Sequence, residues 1–121
     1  MRMPIRPTDI FELAIALQES PDFNNNEVHR RNIIGRYYYG VFLIAREFTK
    51  VQNTGPGAHN EVVQRLKENP EQRRAGNRLA TLRDARNSAD YNIHKSIENR
   101  ELSKCEKSAK AIRDSLQPRN N

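Results

Sequence analysis

Apolar and polar residues alternate with the period of an amphipathic helix in five separate stretches of this chain. The first stretch places apolar residues at i, i+3, i+4 and i+7, namely Ile10, Leu13, Ala14 and Leu17. Thr8 precedes them and is suited to cap the helix, whereas Pro21 would end it. We therefore predict a first helix from Thr8 to a point just before Pro21.

The second stretch, from Asn26 to Thr49, is the richest in apolar residues. Its apolar stripe consists of Ile33, Ile34, Tyr37, Tyr38, Val41, Phe42, Ala45 and Phe48. A stripe of this width contacts more than one neighbour, so we expect this helix at the centre of the core, with a cap from the three asparagines at 24–26. Gly40 would let another backbone approach closely. The three tyrosines at 37–39 favour core and dimer packing or, alternatively, a platform for stacked bases.

The third helix is predicted from His59 to Glu68, with its apolar residues Val62, Val63 and Leu66 directed inward. The Asn-Pro dipeptide that follows breaks this helix. Residues 70–76 are charged and form either a loop or the first polar turns of the next helix.

The fourth stretch runs from Leu79 to Lys95 without Gly or Pro, so we predict a continuous helix through it. One side carries Leu82, Ala85, Ala89 and Ile93. A second side carries a polar file of Arg83, Asn87, Asp90 and His94, and Arg86 lies at the seam between the two sides. This file resembles a functional site, although an exposed face with pairs such as Arg86 and Asp90 gives the same pattern.

The last helix is predicted from Glu98 or Asn99 to about Leu116. Its narrow apolar seam has heptad-like spacing and consists of Leu102, Cys105, Ala109, Ile112 and Leu116. The chain shows no repeats and no strand-like alternation. We therefore predict one all-α domain over 1–121, an up-and-down bundle of about five helices, with irregular tails at 1–7 and 117–121.

The overall composition fits a small domain with thin apolar stripes. The chain has 121 residues, a hydrophobic content of 36% and a mean hydropathy of −0.93. No apolar run approaches the length of about 18 residues that a membrane span needs, and residues 1–7 lack the apolar core of a signal peptide. We therefore expect a cytoplasmic protein without a membrane partner.

Metal and thiol chemistry find little support in the sequence. Cys105 is the sole cysteine, which excludes an internal disulfide, and its place on the seam favours a small buried hydrophobe over a nucleophile. His29, His59 and His94 show no metal-ligand spacing. We expect no metal site and no cofactor.

The charge of the chain points to a polyanionic partner. Lys and Arg outnumber Asp and Glu by 21 to 15, which gives a net charge of +6 and a pI of about 9.8. Arginine dominates, with 15 arginines and 6 lysines. Because arginine forms forked contacts to phosphate and stacks on bases, RNA or DNA becomes the favoured partner class. A basic protein that is merely soluble has the same composition.

Two motifs resemble the HEPN superfamily. The first is Arg-Tyr-Tyr-Tyr-Gly-Val-Phe-Leu-Ile-Ala at 36–45, and the second is Leu-Arg-Asp-Ala-Arg-Asn-Ser-Ala-Asp-Tyr at 82–91. They are similar to a small stand-alone HEPN branch with an Arg-x-Tyr-Tyr-x-x-Phe helix and a later Arg-x-x-Ala-Asp-Tyr helix. His59 lies where that branch often has a histidine that opens a helix. The resemblance spans roughly residues 22–116.

The resemblance implies a bundle of about five helices that forms a homodimer, with the functional helices of two protomers facing each other. Many HEPN proteins are metal-independent endoribonucleases, often toxins or effectors in bacterial and archaeal defence systems. Their usual signature is an arginine followed, after four to six residues, by a histidine. The arginine is thought to hold the scissile phosphate, and the histidine to move protons as the ribose 2′-hydroxyl attacks.

The present sequence departs from this signature. Tyr91 stands five residues after Arg86, in the place of the histidine, and a phenol with a pKa of about 10 is a poor base at neutral pH. His94 can substitute if the helix continues or bends, with Asp90 orienting its imidazole. The resemblance thus implies a catalytic set of Arg86, Asp90, Tyr91 and His94. It implies RNA contacts from Arg83, Asn87, Arg36 and Tyr38.

Three interpretations stay open at this point, and only the first makes the protein an enzyme. In the first, the protein acts on RNA as a metal-independent endoribonuclease or toxin-type defence effector. In the second, it is a non-catalytic homodimer that binds nucleic acid, or a protein partner such as a nucleotidyltransferase-type antitoxin or another defence protein. In the third, the bundle is purely structural, and Arg86 and Asp90 form an ordinary surface pair.

Overall fold

A computed structural model describes residues 5–20 and 26–117 of the chain. These residues form five helices: α1 (Pro7–Glu19), α2 (Glu27–Thr49), α3 (Ala58–Glu68), α4 (Arg73–Tyr91) and α5 (Asn99–Leu116). No β-strand occurs in the described ranges, so the predicted all-α class is confirmed. Among these helices, none combines the length and the apolar character that crossing a bilayer requires. The predicted helix stop at Pro21 and most of the predicted tails lie outside the described residues.

The central element is α2, which contacts the other four helices. Asn26 caps it as predicted, because its Oδ1 atom accepts a hydrogen bond from the Val28 amide at 2.8 Å. Seven of the eight residues predicted in its apolar stripe are buried: Ile33, Ile34, Tyr37, Tyr38, Val41, Phe42 and Ala45. Phe48, the eighth, is 42% exposed, since the ends of α1 and α5 leave an open cleft of about 390 Å³ beside it.

The first helix, α1, approaches α2 most closely at Gly40. A Cβ atom at this position would lie 2.8 Å from the backbone nitrogen of Phe11, so the predicted close approach is confirmed. Phe11 packs edge-on against Tyr37, with ring centroids 5.5 Å apart, and the Tyr37 hydroxyl donates a hydrogen bond to Gln18. Leu13, which the periodicity places inward, is 43% exposed, because Phe11 takes the buried position of this turn.

Most helix boundaries match the predictions within one or two residues. The start of α1 lies at Pro7, whose ring suits the first helical position, so Arg6 rather than Thr8 is the cap. Residues 70–72 form a turn, and 73–76 already belong to α4. The predicted seam of α5 is confirmed, since all five of its residues are buried.

The end of α4 is the largest departure from the predicted elements. The helix ends at Tyr91, four residues before Lys95. At this point the Arg31 guanidinium of α2 donates, over 2.9 to 3.2 Å, to the carbonyl oxygens of Ser88, Ala89 and Asn92. It also donates to the carbonyl of Lys95. Because carbonyls in a last turn have no partner within the helix, a cation that binds them stabilises the helix end.

The loop after α4 is fastened to the first turn of α2. Glu27 accepts a hydrogen bond from the Ile97 amide at 2.7 Å, and Arg30 donates one to the Ile97 carbonyl at 2.8 Å. Ile97 is buried in consequence, whereas Ile93, predicted inward, is 77% exposed in the turn beyond α4. We refer to Glu27, Arg30 and Arg31, with the backbone that they hold, as the Arg31 clamp.

Candidate functional site

A cleft of about 250 Å³ opens between the first half of α2 and the last two turns of α4. Its lining residues are Asn32, Gly35, Arg36, Tyr38, Tyr39, Arg86 and Asp90. Four of these seven belong to the predicted site: Arg86 and Asp90 of α4, and Arg36 and Tyr38 of α2. We refer to this opening as the α2–α4 cleft.

The cleft forms because both helices present polar residues at helical spacing toward it. On α2, Asn32, Arg36 and Tyr39 follow one another at intervals of three or four positions, and all three are exposed. On α4, Arg86 and Asp90 are one turn apart and point into the same opening. Of the predicted polar file, only Asp90 therefore lines this cleft, and Arg86 joins it from the seam.

Arg86 is held in a fixed position on the α4 side. Its Nε atom lies 2.8 Å from Asp90 Oδ2, which confirms the i,i+4 pair. Its Cζ atom lies 5.7 Å from the ring centroids of both Tyr38 and Tyr91. The Nη1 atom makes one long contact, 3.4 Å to Asn87 Oδ1. One carboxylate and two rings thus orient the guanidinium, and its Nη2 atom makes no hydrogen bond within the described residues.

The cleft carries a net positive charge. Asp90 uses Oδ2 for Arg86, and its Oδ1 atom would lie 3.7 Å from a Cβ atom placed on Gly35, so the carboxylate lies over bare backbone. Arg36 is exposed, and its guanidinium makes no hydrogen bond or ion pair within the described part of the chain. Two guanidinium groups therefore face one carboxylate, and one of the two is unpaired.

The wall behind Arg86 is a buried pair of rings. The Tyr38 hydroxyl lies 2.7 Å from His59 Nδ1, and both rings pack against Phe42 at centroid distances of 5.8 and 6.0 Å. Burial raises the pKa of the Tyr38 hydroxyl. Burial, together with the nearby charge of Arg83, lowers the pKa of His59 to about 4. At neutral pH the hydroxyl is protonated and the imidazole is neutral, and the hydrogen bond between them holds the Tyr38 ring beside Arg86.

His94 does not join this group. The predicted helix places it one turn after Asp90, but α4 ends at Tyr91, where Arg31 of the clamp binds the last carbonyls. His94 is exposed in the turn that follows, and its imidazole has no polar partner among the described residues. The predicted continuation of α4 through His94 is therefore wrong, and Asp90 orients Arg86 instead.

The remaining predicted residues lie at the edge of the α2–α4 cleft. Tyr91 is 71% exposed at the end of α4, with its ring against Arg86. Asn87 contacts the same guanidinium. Arg83 lies one turn earlier on α4, where its Nη1 atom is 3.5 Å from Asn60 Oδ1 of α3. These three residues lie next to the residues that line the cleft but do not line it themselves.

Three lining residues, Asn32, Gly35 and Tyr39, and the buried His59 are absent from the predicted site. For Asn32 and Tyr39 a signal exists in the sequence, because both share the exposed face of α2 with residues of the first motif. For His59 the sequence holds only its place at the start of a helix. Its contact with Tyr38 crosses between two helices and has no local signature.

Among the described residues, the side chains that could bind a metal ion do not cluster, and the thiol of Cys105 lies away from the α2–α4 cleft. Across the described ranges, no three His, Cys, Asp or Glu side chains group closely enough to hold a metal ion. Cys105 is buried in α5, and burial, with the charge of Glu101, raises the pKa of its thiol to about 11. The thiol therefore stays protonated at neutral pH and behaves as a core residue, as predicted.

The chain is similar in sequence to a known protein over much of its length. An uncharacterised protein of Methanocaldococcus jannaschii is 33% identical over 112 residues, and the match covers 77% of this chain and 67% of that protein. No family model matches the chain. No solved structure matches it either. Any functional proposal therefore depends on the α2–α4 cleft itself.

Proposed function

This chain belongs to the same family as the Methanocaldococcus jannaschii protein, and we propose that it is a HEPN-like protein that binds RNA in the α2–α4 cleft. The observation that carries this proposal is the geometry of Arg86, which Asp90 and two rings orient in the same cleft as the unpaired Arg36. The two guanidinium groups share one cleft of about 250 Å³ and offer donors to a backbone phosphate.

The fixed guanidinium is well suited to bind phosphate. Because Asp90 and two aromatic rings already orient Arg86, little conformational freedom is lost when a ligand binds. Its planar donors match the spacing of phosphate oxygens. Arg36 adds a second cation, and the net charge of +6 attracts RNA at longer range. Binding should therefore weaken as the salt concentration rises.

Exposed aromatic rings beside the two arginines favour unpaired bases. Tyr39 is 49% exposed and Tyr91 is 71% exposed. Rings of this kind stack on unpaired bases with little regard for base identity. We therefore propose single-stranded RNA, or a single-stranded loop within a folded RNA, as the ligand.

Cleavage of the bound RNA is a second candidate, favoured by the position of Asp90 beside Arg86. In this reaction the ribose 2′-hydroxyl attacks the adjacent phosphorus, and its proton passes to the Asp90 carboxylate. The bond to the 5′-oxygen breaks, and that oxygen takes a proton from Tyr91 or from water. Arg86 stabilises the charge on the phosphate. The products are a 2′,3′-cyclic phosphate and a 5′-hydroxyl, and the route needs no metal ion.

A homodimer belongs to the same proposal, because the resemblance to the HEPN superfamily implies one, and a protein partner is the alternative. Ile93, which is 77% exposed in the turn after α4, places apolar surface beside the end of that helix. A second copy of the chain can cover this surface. A nucleotidyltransferase-type antitoxin or another defence protein is an alternative occupant. The mass of the purified protein in solution tests the dimer.

Binding of a fluorescently labelled single-stranded RNA, measured by anisotropy with EDTA present, tests the proposed function. Arg86→Gln removes the charge and keeps a polar side chain, so we expect about tenfold weaker binding, or roughly 1.4 kcal/mol. Arg74→Gln is the matched control, because Arg74 is exposed in the first turn of the same helix and forms no ion pair within the described ranges. Its binding should stay within about twofold of the unaltered protein.

The outcomes separate the two candidates. Equal binding by Arg86→Gln and Arg74→Gln would contradict a phosphate contact by Arg86. Fragments with 2′,3′-cyclic phosphate ends, lost in both Arg86→Gln and Asp90→Asn, would establish cleavage. Intact RNA after long incubation would leave binding alone as the function.

A further inference from the structure

One exposed face of α2 continues beyond the α2–α4 cleft to the end of the helix. Its residues lie three or four positions apart and therefore in one line: Asn32, Arg36, Tyr39, Leu43, Arg46 and Lys50. None of these six is buried. At about 1.5 Å per residue the line is about 27 Å long. The first helix, α1, packs beside it at Gly40, and α4 packs on the other side at Tyr38.

A second cleft, of about 460 Å³, lies at the far end of this face. Its walls come from the start of α1, from residues 51–52 and from four residues of α2 and its cap: Leu43, Arg46, Glu47 and Lys50. We refer to it as the Arg46 cleft. Because Leu43 comes one turn after Tyr39, the two clefts follow one another along α2.

Cations outnumber carboxylates in the Arg46 cleft. The side chains of Arg46 and Lys50 make no hydrogen bond or ion pair elsewhere in the described part of the chain. Arg6 also lines the cleft, although Asp9 lies 3.8 Å from its guanidinium. Among the lining residues that the structure describes, Glu47 is the one carboxylate. The balance is positive, as it is in the α2–α4 cleft.

Arg46 is supported in the same way as Arg86. Its Cζ atom lies 6.0 Å from the centroid of the Phe42 ring, and Phe42 stacks on Tyr38 at 5.8 Å. Arg86 lies 5.7 Å from the Tyr38 ring. Each of the two guanidinium groups therefore lies against one ring of the same stacked pair, which connects a cation of one cleft with a cation of the other.

From this arrangement we infer that single-stranded RNA lies along the exposed face of α2 and places phosphates in both clefts. The inference rests on the proposed function and adds Arg46 and Lys50 as a second phosphate contact. Tyr39 lies between the two groups of cations, where its exposed ring can stack on a base. A duplex offers no unpaired base to this ring, so the strand must be single.

Two lengths of RNA separate the contributions of the clefts. Arg36 and Arg46 lie ten residues, or about 15 Å, apart along the helix axis, so a strand of about 2 nucleotides occupies the α2–α4 cleft alone, whereas a strand of about 12 nucleotides reaches both clefts. The test variant is Arg46→Gln/Lys50→Asn, in which asparagine tolerates the left-handed backbone of Lys50, where φ is 63°. Its matched control, Arg100→Gln/Lys104→Asn, removes the same charge at the same spacing from the exposed side of α5.

We expect the α2 variant to bind the longer strand about tenfold more weakly than the control. We also expect its slope of log K against log salt to fall by about 1.4, from about 0.7 for each lost phosphate contact. The shorter strand should bind equally to both variants.

Three results would overturn the inference. Equal binding of the longer strand by the two variants would remove Arg46 and Lys50 from the interface, while a loss in Arg86→Gln would still support the proposed function. Tighter binding of a duplex of the same length would exclude a single strand on α2. Absence of RNA binding by the unaltered protein would overturn the inference and the proposed function together.

Discussion

Arg31 and Arg36 lie five positions apart on α2, yet they belong to two different kinds of region at the junction with α4. In the Arg31 clamp, the guanidinium donates to four backbone carbonyls, and its side chain is only 14% exposed. In the α2–α4 cleft, Arg36 is exposed and has no partner within the described residues. In this basic chain the residue type therefore does not decide what an arginine does. What decides it is whether its donors are already bound.

The largest expected effect separates these two arginines by stability. Arg31→Gln leaves four carbonyl oxygens at the end of α4 without this donor, so we expect the free energy of unfolding to fall by about 3 kcal/mol. Arg36→Gln should change it by less than about 0.5 kcal/mol. Urea unfolding followed by circular dichroism measures both values. Similar losses of unfolding free energy in the two variants would contradict the distinction between Arg31 and Arg36.

Tyr38 and His59, the buried wall of the α2–α4 cleft, should contribute to the free energy of unfolding as the Arg31 clamp does. The pKa of His59 is about 4 in the folded protein, against about 6.5 in the unfolded chain, so the unfolded state takes up the proton first as the pH falls. The stability that neutral His59 contributes is present above about pH 6.5. It is lost as the pH falls toward about 4, on the order of 2 kcal/mol.

Thermal unfolding across this pH range tests the effect of His59. The variant His59→Gln cannot take up a proton, so its stability should change less between about pH 6.5 and about pH 4.5. The hydrogen bond from the Ile97 amide lowers the pKa of Glu27, but that carboxylate loses its charge only at more acidic pH. A variant as sensitive to acid as the unaltered protein would exclude His59 as the cause.

The smallest expected effect distinguishes a buried hydroxyl from an exposed one. Tyr38→Phe leaves His59 without its hydrogen bond, so we expect a loss of about 1 kcal/mol in the free energy of unfolding. Tyr39→Phe is the matched control and should change little, since Tyr39 is 49% exposed. Because phenylalanine keeps the ring beside Arg86, RNA affinity should stay within about twofold. Lost affinity in Tyr38→Phe alone would assign a binding role to the hydroxyl.

Local periodicity predicts most of the fold. The helices α2, α3 and α5 begin and end within one residue of their predicted bounds, because their stripes and caps are formed by residues close in sequence. The end of α4 differs, since Arg31 binds Ser88 from 57 positions away. No pattern within 79–95 contains that contact. The predicted helix therefore runs on through Ile93, and the structure exposes this residue in a turn.

In the candidate site, too, the sequence predicts contacts within one helix but not contacts between helices. The pairing of Arg86 with Asp90 follows from their spacing on one helix and is confirmed. Tyr38 comes from the motif resemblance and does line the cleft. Its hydrogen bond with His59 joins residues 21 positions apart on different helices, so helical spacing does not predict it. His94 is misplaced because the predicted end of its helix is misplaced.

The two glycines inside α2 differ in what they make possible. Glycine weakens a helix interior by about 1 kcal/mol relative to alanine. At Gly40 the packing of α1 requires it, since an added methyl carbon would meet the Phe11 nitrogen at 2.8 Å. At Gly35 the nearest atom would be 3.7 Å away, so alanine would fit and would strengthen the helix. That methyl group would also occupy space beneath Asp90, so this part of the α2–α4 cleft exists at the expense of helix stability.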